Sequence, residues 1–142
     1  MIQPDKKVIV FLKKHHVLTL ATCIDLQPWC CNCFYAFDES KMTLIFTSNP
    51  ETRHIQESLK NRQVAGSVVL ETSIVGKIQG IQFSGELNRS EGAEANHVNN
   101  VYLKRFPFTI LMNTTLWELR IDYLKMTDNR LIFGEKLIWE RG

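Results

Sequence analysis

Three stretches early in the chain, HVLTLATCID (16–25), WCCNCFYAF (29–37) and MTLIFTS (42–48), are rich in β-forming residues and separated only by short polar segments. Three such strands joined by short polar turns make an antiparallel meander, and this constrains the fold more than any other feature. The pattern continues downstream. QVAGSVVLE (63–71) reads as a further strand. KIQGIQFSGELNRS (77–90) alternates, with Ile78, Gly80, Gln82 and Ser84 on one face against Gln79, Ile81, Phe83 and Gly85 on the other. The glycines at 80 and 85 mark a bulge, a bend or a close approach. TLWELRIDYLKMTD (115–128) and RLIFGEKLIWE (130–140) form a closing hairpin around Asp128 and Asn129.

Helices are few. Pro4 and Asp5 open a short one with Val8, Ile9, Phe11 and Leu12 on one side. A second follows residues 47–54, and a third runs over 91–106, with Ser90 as its expected cap and Pro107 as its stop. No βαβ alternation runs along the chain. The fold class is therefore mainly β, a small closed or half-closed β-barrel with peripheral helices. At 142 residues, 44% apolar and 23% charged, the chain reads as one globular domain over 1–142. A net charge of +2 without a basic block gives no support to nucleic acid or an anionic membrane as partner. No signal-peptide core and no apolar run of membrane-spanning length is present, so a cytoplasmic location is expected.

The stretch TSNPETRH (47–54) raises a chemical question, because it places two basic side chains in the first turn of a helix. The helix dipole opposes cations there by about 0.3–1 kcal/mol each. A helix start also offers unpaired N–H groups, a ready anion site. Ser48 or Asn49 is the expected cap and Pro50 the expected first helical residue. Thr47, Ser48 and Thr52 can donate hydroxyl bonds and Arg53 can fork two oxygens, an assembly suited to a phosphate. A well-capped helix with Arg53 and His54 facing water is the competing reading.

Cys23, Cys30, Cys31 and Cys33 fall within eleven residues. Their spacing is not a doubled C-x-x-C, and on a strand Cys31 and Cys33 share a face while Cys30 points away. They read as free thiols packed as small hydrophobes rather than as a metal or redox centre. His15, His16, His54 and His97 show no ligand spacing, so no metal is expected. Nucleophile-elbow, phosphate-loop and dinucleotide-binding motifs are missing.

Taken in order, ATCIDLQPWCCNCFYAFD, LIFTSNPETRHIQ, QVAGSVV, IQGIQFSGEL and MTDNRLIFGEKLIWER resemble the pyridoxamine-phosphate-oxidase-like split-barrel flavoproteins. Within them the chain is most similar to a family of small bacterial proteins. The resemblance covers residues 16–141 and implies a six-stranded antiparallel FMN-binding split barrel, a homodimer with FMN between the subunits. The strand with Asn32, Phe34 and Tyr35 would run beside the isoalloxazine ring. Thr47, Ser48, Thr52, Arg53 and His54 would hold the flavin phosphate. Gln79 and Gln82 would approach the ring from the partner subunit, and Lys136 and Trp139 would lie near the same interface. The chain lacks the fuller basic set and the C-terminal Arg-and-His pair of the pyridoxamine-phosphate oxidases themselves, so vitamin B6 oxidation is not implied. The expected function is an FMN-dependent oxidoreductase acting on a small substrate. The alternative is a dimer that binds flavin, or another cofactor, without turnover.

Overall fold

The computed structural model describes residues 1–111, 115–130 and 135–142. Among these residues, seven strands and three α-helices follow one another as α1 (Lys6–Lys14), β1 (Val17–Ile24), β2 (Gln27–Asp38), β3 (Thr43–Thr47), α2 (Arg53–Lys60), β4 (Gln63–Val69), β5 (Gln79–Arg89), α3 (Glu94–Arg105), β6 (Leu116–Asp128) and β7 (Lys136–Glu140). Short 3₁₀ turns lie at Val75–Lys77 and Pro107–Leu111. Among the described residues, no helix is long and apolar enough to cross a membrane.

The strands form one antiparallel sheet in the order β3-β2-β1-β4-β5-β6-β7, and a further pairing of β3 with β6 closes it. Six strands thus make the ring, as expected, and β7 is a seventh strand outside it. The reason lies in strand length. β6 has 13 residues and β3 only five. Once β3 has paired with Leu116–Arg120, β7 takes the same edge of β6 at Tyr123–Thr127. The expected closing strand at 130–140 begins only at Lys136, and residues 131–134 lie outside those described.

The ring is also split. On β2, Tyr35–Asp38 pair with β3, whereas Gln27–Phe34 pair with β1 alone. α2 lies against β1 and β2 at this parting and sends Ile55 into the core. The inner core comprises Leu18, Leu20, Phe46, Ile81, Phe83, Trp117, Leu119 and Leu124, joined by Val8, Ile9, Phe11 and Leu12 of α1. Each such side chain removed from water contributes about 1.5–3 kcal/mol. A second cluster, Ala36, Ile45, Val98, Tyr102 and Phe106, packs α3 on the outside of β2 and β3.

Local expectations were met unevenly. Asp5 caps α1, accepting from the Lys7 amide at 2.8 Å. α3 starts at Glu94 and not beside Ser90, because Gly92 adopts φ +68°, a left-handed conformation that interrupts any helix running from Ser90. At Gly85 the sheet bulges, with a register shift between Ser84 and Gly85, whereas Gly80 lies in regular pairing.

Candidate functional site at the split

Thr47 ends β3, and its hydroxyl lies 3.4 Å from the Tyr102 hydroxyl. The next residue is fixed to β6: the Ser48 amide donates to the Thr115 carbonyl at 3.1 Å, and the Trp117 indole N–H donates to the Ser48 carbonyl at 2.9 Å. Asn49–Thr52 then form a tight turn. The Asn49 side chain accepts from the Glu51 amide at 2.9 Å, and the Thr52 amide and hydroxyl both donate to the Asn49 carbonyl, at 3.1 and 2.8 Å. The helix consequently begins at Arg53, with Thr52 and not Ser48 or Asn49 in the cap position, and Pro50 stays outside it. The cause is local, since an Asn side chain that closes a turn is no longer available as a cap. Thr52 makes no capping bond either, because its hydroxyl is committed to Asn49. The first-turn amides of α2 therefore lack the usual side-chain acceptor.

Three side chains of the stretch meet at this helix mouth. Ser48 Oγ lies 2.6 Å from His54 Nε2, and Thr52 Oγ1 lies 3.3 Å from the same nitrogen and 3.4 Å from Ser48 Oγ. Arg53 goes elsewhere. Its Nε donates to Glu57 at 2.8 Å and its guanidinium lies 4.0 Å from the Trp29 ring centroid. Glu57 also accepts from Thr22, and the Arg53 bond holds its carboxyl below the usual range.

Beneath His54 run Cys31 and Cys33, on one face of β2 as their spacing predicts, here the inward one, with their sulfurs 3.9 Å apart. One ring nitrogen of His54 and the two sulfurs all lie within 4.8 Å of one another. The hydrogen bond from Cys33, and after burial is offset the neighbouring His54, push the Cys31 thiol down to about 5. The same bond, with burial, pushes the Cys33 thiol up. Cys30 is exposed on the opposite face and Cys23 sits on β1, paired with Pro28, so the four thiols do not gather.

The other expected site residues divide by strand face. Asn32 and Phe34 point outward. Asn32 accepts from Thr19 Oγ1 at 2.9 Å, and Phe34, 61% exposed, touches Phe106 with ring centroids 6.0 Å apart. Tyr35 points inward, fully buried, and donates to the Leu12 carbonyl at 2.8 Å. Gln82 points outward between Ser67 and Lys125, whereas Gln79 is buried on the other face beneath α1. Lys136 is exposed and donates to Thr127 Oγ1 at 3.0 Å. Trp139 is buried, its indole N–H donating to the Ile2 carbonyl at 2.6 Å. The register lines up Asn32, Thr19, Ser67, Gln82, Lys125 and Ile138 in one outward row across six strands. A parallel row runs Cys30, Ala21, Ala65, Ser84, Tyr123 and Glu140. Both rows run around the outside of the ring, and Thr19, Ser67, Ala21, Ala65 and Ser84 keep the side chains small over β1, β4 and part of β5.

Sequence reasoning missed Tyr102 and Trp117 as supports of the stretch. It also missed that His54 meets Cys31 and Cys33, for which no signal exists in the linear spacing.

No family model matches the chain. A UPF0306 protein of Yersinia pestis is 39% identical over 143 residues, covering 99% of this chain and 97% of that protein. Among solved structures, a heme-binding protein from Mycobacterium smegmatis superposes with a TM-score of 0.77 at 14% identity, covering 99% of this chain and 60% of that longer one. An FAD-binding protein from Mesorhizobium loti superposes with a TM-score of 0.71 at 14% identity, covering 86% of this chain and 92% of that one. These likenesses show the fold, a mainly β split barrel. With a relative this similar along nearly its whole length, the chain belongs to the UPF0306 family.

Proposed function

We propose that this protein binds FMN at the split, in the manner of the pyridoxamine-phosphate-oxidase-like flavoproteins, and serves as an oxidoreductase for a small substrate. The observation that carries the reading is the helix mouth of α2. Its cap hydroxyl is turned away, its first-turn amides lack a side-chain acceptor, and Ser48, Thr52 and His54 converge beside it. That donor set fits a phosphate, since amides, hydroxyls and an imidazole all donate to an oxyanion. The heme-binding and FAD-binding neighbours support a cofactor role for the fold in general.

In this reading the amides of Arg53 and His54, the Ser48 hydroxyl and the His54 imidazole hold the phosphate, while Thr52 holds the turn through Asn49. Arg53 holds α2 against Trp29 and Glu57. Phe34 and Asn32 line the outward side of β2 for the flavin ring, and Gln82 lies in the same outward row as Asn32. The flavin would supply hydride transfer, while the protein orients the ring and excludes water. Phe34, Val69 and Ile138 stand exposed on the outward sides of β2, β4 and β7, apolar surface that a second copy of the chain would cover, so the assembly is a homodimer with the flavin ring at the interface.

The test compares FMN with riboflavin, which lacks the phosphate, by absorbance and fluorescence titration. FMN should bind in about one copy per chain and far more tightly than riboflavin. Replacing Ser48 with Ala should weaken FMN about 10-fold, from one lost charge-assisted bond of about 1.5 kcal/mol, and leave riboflavin unchanged. Equal affinity for the two flavins would remove the phosphate site, and a heme spectrum in the purified protein would redirect the cofactor assignment.

A further inference from the structure

The flavin reading makes no use of the two inward thiols at the split. Cys31 and Cys33 stand on a paired stretch of β2 opposite Leu20 and Leu18, so their separation is fixed by the strand. His54 reaches them from the first turn of α2. We propose that Cys31, Cys33 and His54 form a three-ligand site for Zn²⁺, with a fourth position left for water or an anion.

Three independent features point to this ion. The donor set is two sulfurs and one imidazole, which a borderline-soft d¹⁰ cation prefers to hard, oxygen-seeking ions. The spacing fits as well. A tetrahedral centre with zinc–sulfur bonds of about 2.3 Å places its sulfurs about 3.8 Å apart. The two sulfurs stand at 3.9 Å, and all three donor atoms fall within 4.8 Å of one another. The third feature is support around the donors. Ser48 and Thr52 hydrogen-bond the imidazole of His54 and fix its orientation, the role outer-shell partners play in zinc sites. All three ligands are half-buried, which leaves a route for the ion and a partly dry setting once it is bound. Three protein ligands and an open position are the pattern of zinc sites that bind water or an anion.

The site does not depend on the flavin reading, although both draw on His54. The experiment therefore uses the full-length protein without flavin, under reducing conditions, titrated with Zn²⁺ against a chromophoric chelator. Co²⁺ serves as a spectroscopic probe of sulfur ligation. One ion per chain is expected, with a sulfur-to-cobalt charge-transfer band. Cys31→Ser, Cys33→Ser and His54→Gln should each weaken Zn²⁺ by more than about 100-fold, beyond what changes to outer-shell partners produce. Cys23→Ser and Cys30→Ser should bind as the natural chain does. Thermal melts of every variant separate ligand loss from unfolding, and the serine variants change one atom only. The proposal is overturned if the natural chain takes up no stoichiometric zinc, if Cys31→Ser and Cys33→Ser bind equally well, or if Cys30→Ser abolishes binding. A chain that binds zinc but not FMN would keep this site and lose the flavin reading, and the reverse result would do the opposite.

Discussion

Gly85 offers the sharpest test of the barrel's geometry. It sits at the bulge where β5 crosses β6, and a Cβ placed on it would lie 1.9 Å from the Arg120 carbonyl oxygen, 2.9 Å from the carbon of that carbonyl and 3.2 Å from Ile121 Cα. All three are backbone atoms, so no side-chain rotation relieves the clash. Ordinary contact requires about 3.5 Å, so the strands must part by more than about 1 Å. A displacement of that size takes the neighbouring ladder bonds out of range on both sides of the bulge. Two such bonds at about 1 kcal/mol each, with about 1–2 kcal/mol of overpacking, give a loss of about 3–4 kcal/mol for Gly85→Ala. For a chain of this length the melting temperature should fall by about 10–14 °C. Gly80→Ala is the control. Its Cβ meets nothing nearer than the Val68 carbonyl oxygen at 3.5 Å, an ordinary contact, and its stability should stay within about 0.5 kcal/mol. Urea unfolding followed by circular dichroism gives both values. A Gly85→Ala protein melting within about 2 °C of the natural chain would refute the close approach of β5 and β6.

Two further predictions concern buried polar groups. Tyr35→Phe removes a buried donor and strands the Leu12 carbonyl, so α1 should loosen from β2 at a cost of about 1–3 kcal/mol, read as a shift of the urea midpoint. Asp38 is buried, which alone would raise its pKa, but bonds from Ser40 and His97 outweigh this and hold the carboxyl below its usual range. A depressed carboxylate contributes stability that is fully present above its unfolded value of about 3.9 and is lost as pH falls through the folded value. Stability measured from pH 5 down to about pH 2 should drop for this reason, and Asp38→Asn should flatten that part of the curve. An unchanged acid slope in the variant would show that Asp38 is not its source.

Most of the strands and the faces of their residues were legible in the sequence, because alternation fixes faces wherever one face is buried. Residues 77–90 show this well: Ile81 and Phe83 went to the core and Gln82 and Ser84 to the outside, as their spacing says. The same rule put Cys31 and Cys33 together and Cys30 opposite. What could not be read was anything decided by a long-range crossing. Asn49 looks like a cap in isolation, but its side chain closes a turn held in place by Ser48 bonds to β6. Arg53 looks like a phosphate fork, but Glu57 one turn along the helix and Trp29 on a distant strand compete for it. Trp139 was expected near the subunit interface only through the family resemblance, yet a bond to Ile2 at the far end of the chain holds it inside. Each depends on which segment the fold brings alongside.

The join between β3 and β6 also governs when the molecule becomes whole. It unites residues 43–47 with residues 116–120, whereas the β1–β2 pairing closes over a two-residue turn. Closing so long a loop costs about 4 kcal/mol of chain entropy if nothing between is yet ordered. Local hairpins therefore form early, and ring closure belongs to the late, slow part of folding. Until then β3 and β6 present open edges, the surfaces on which partly folded chains associate. Ser48 is fastened to Thr115 and Trp117 of that same join. The mouth of α2 is thus assembled by the last long-range step, and a ligand seated there would select the fully closed chain from every earlier state on the route.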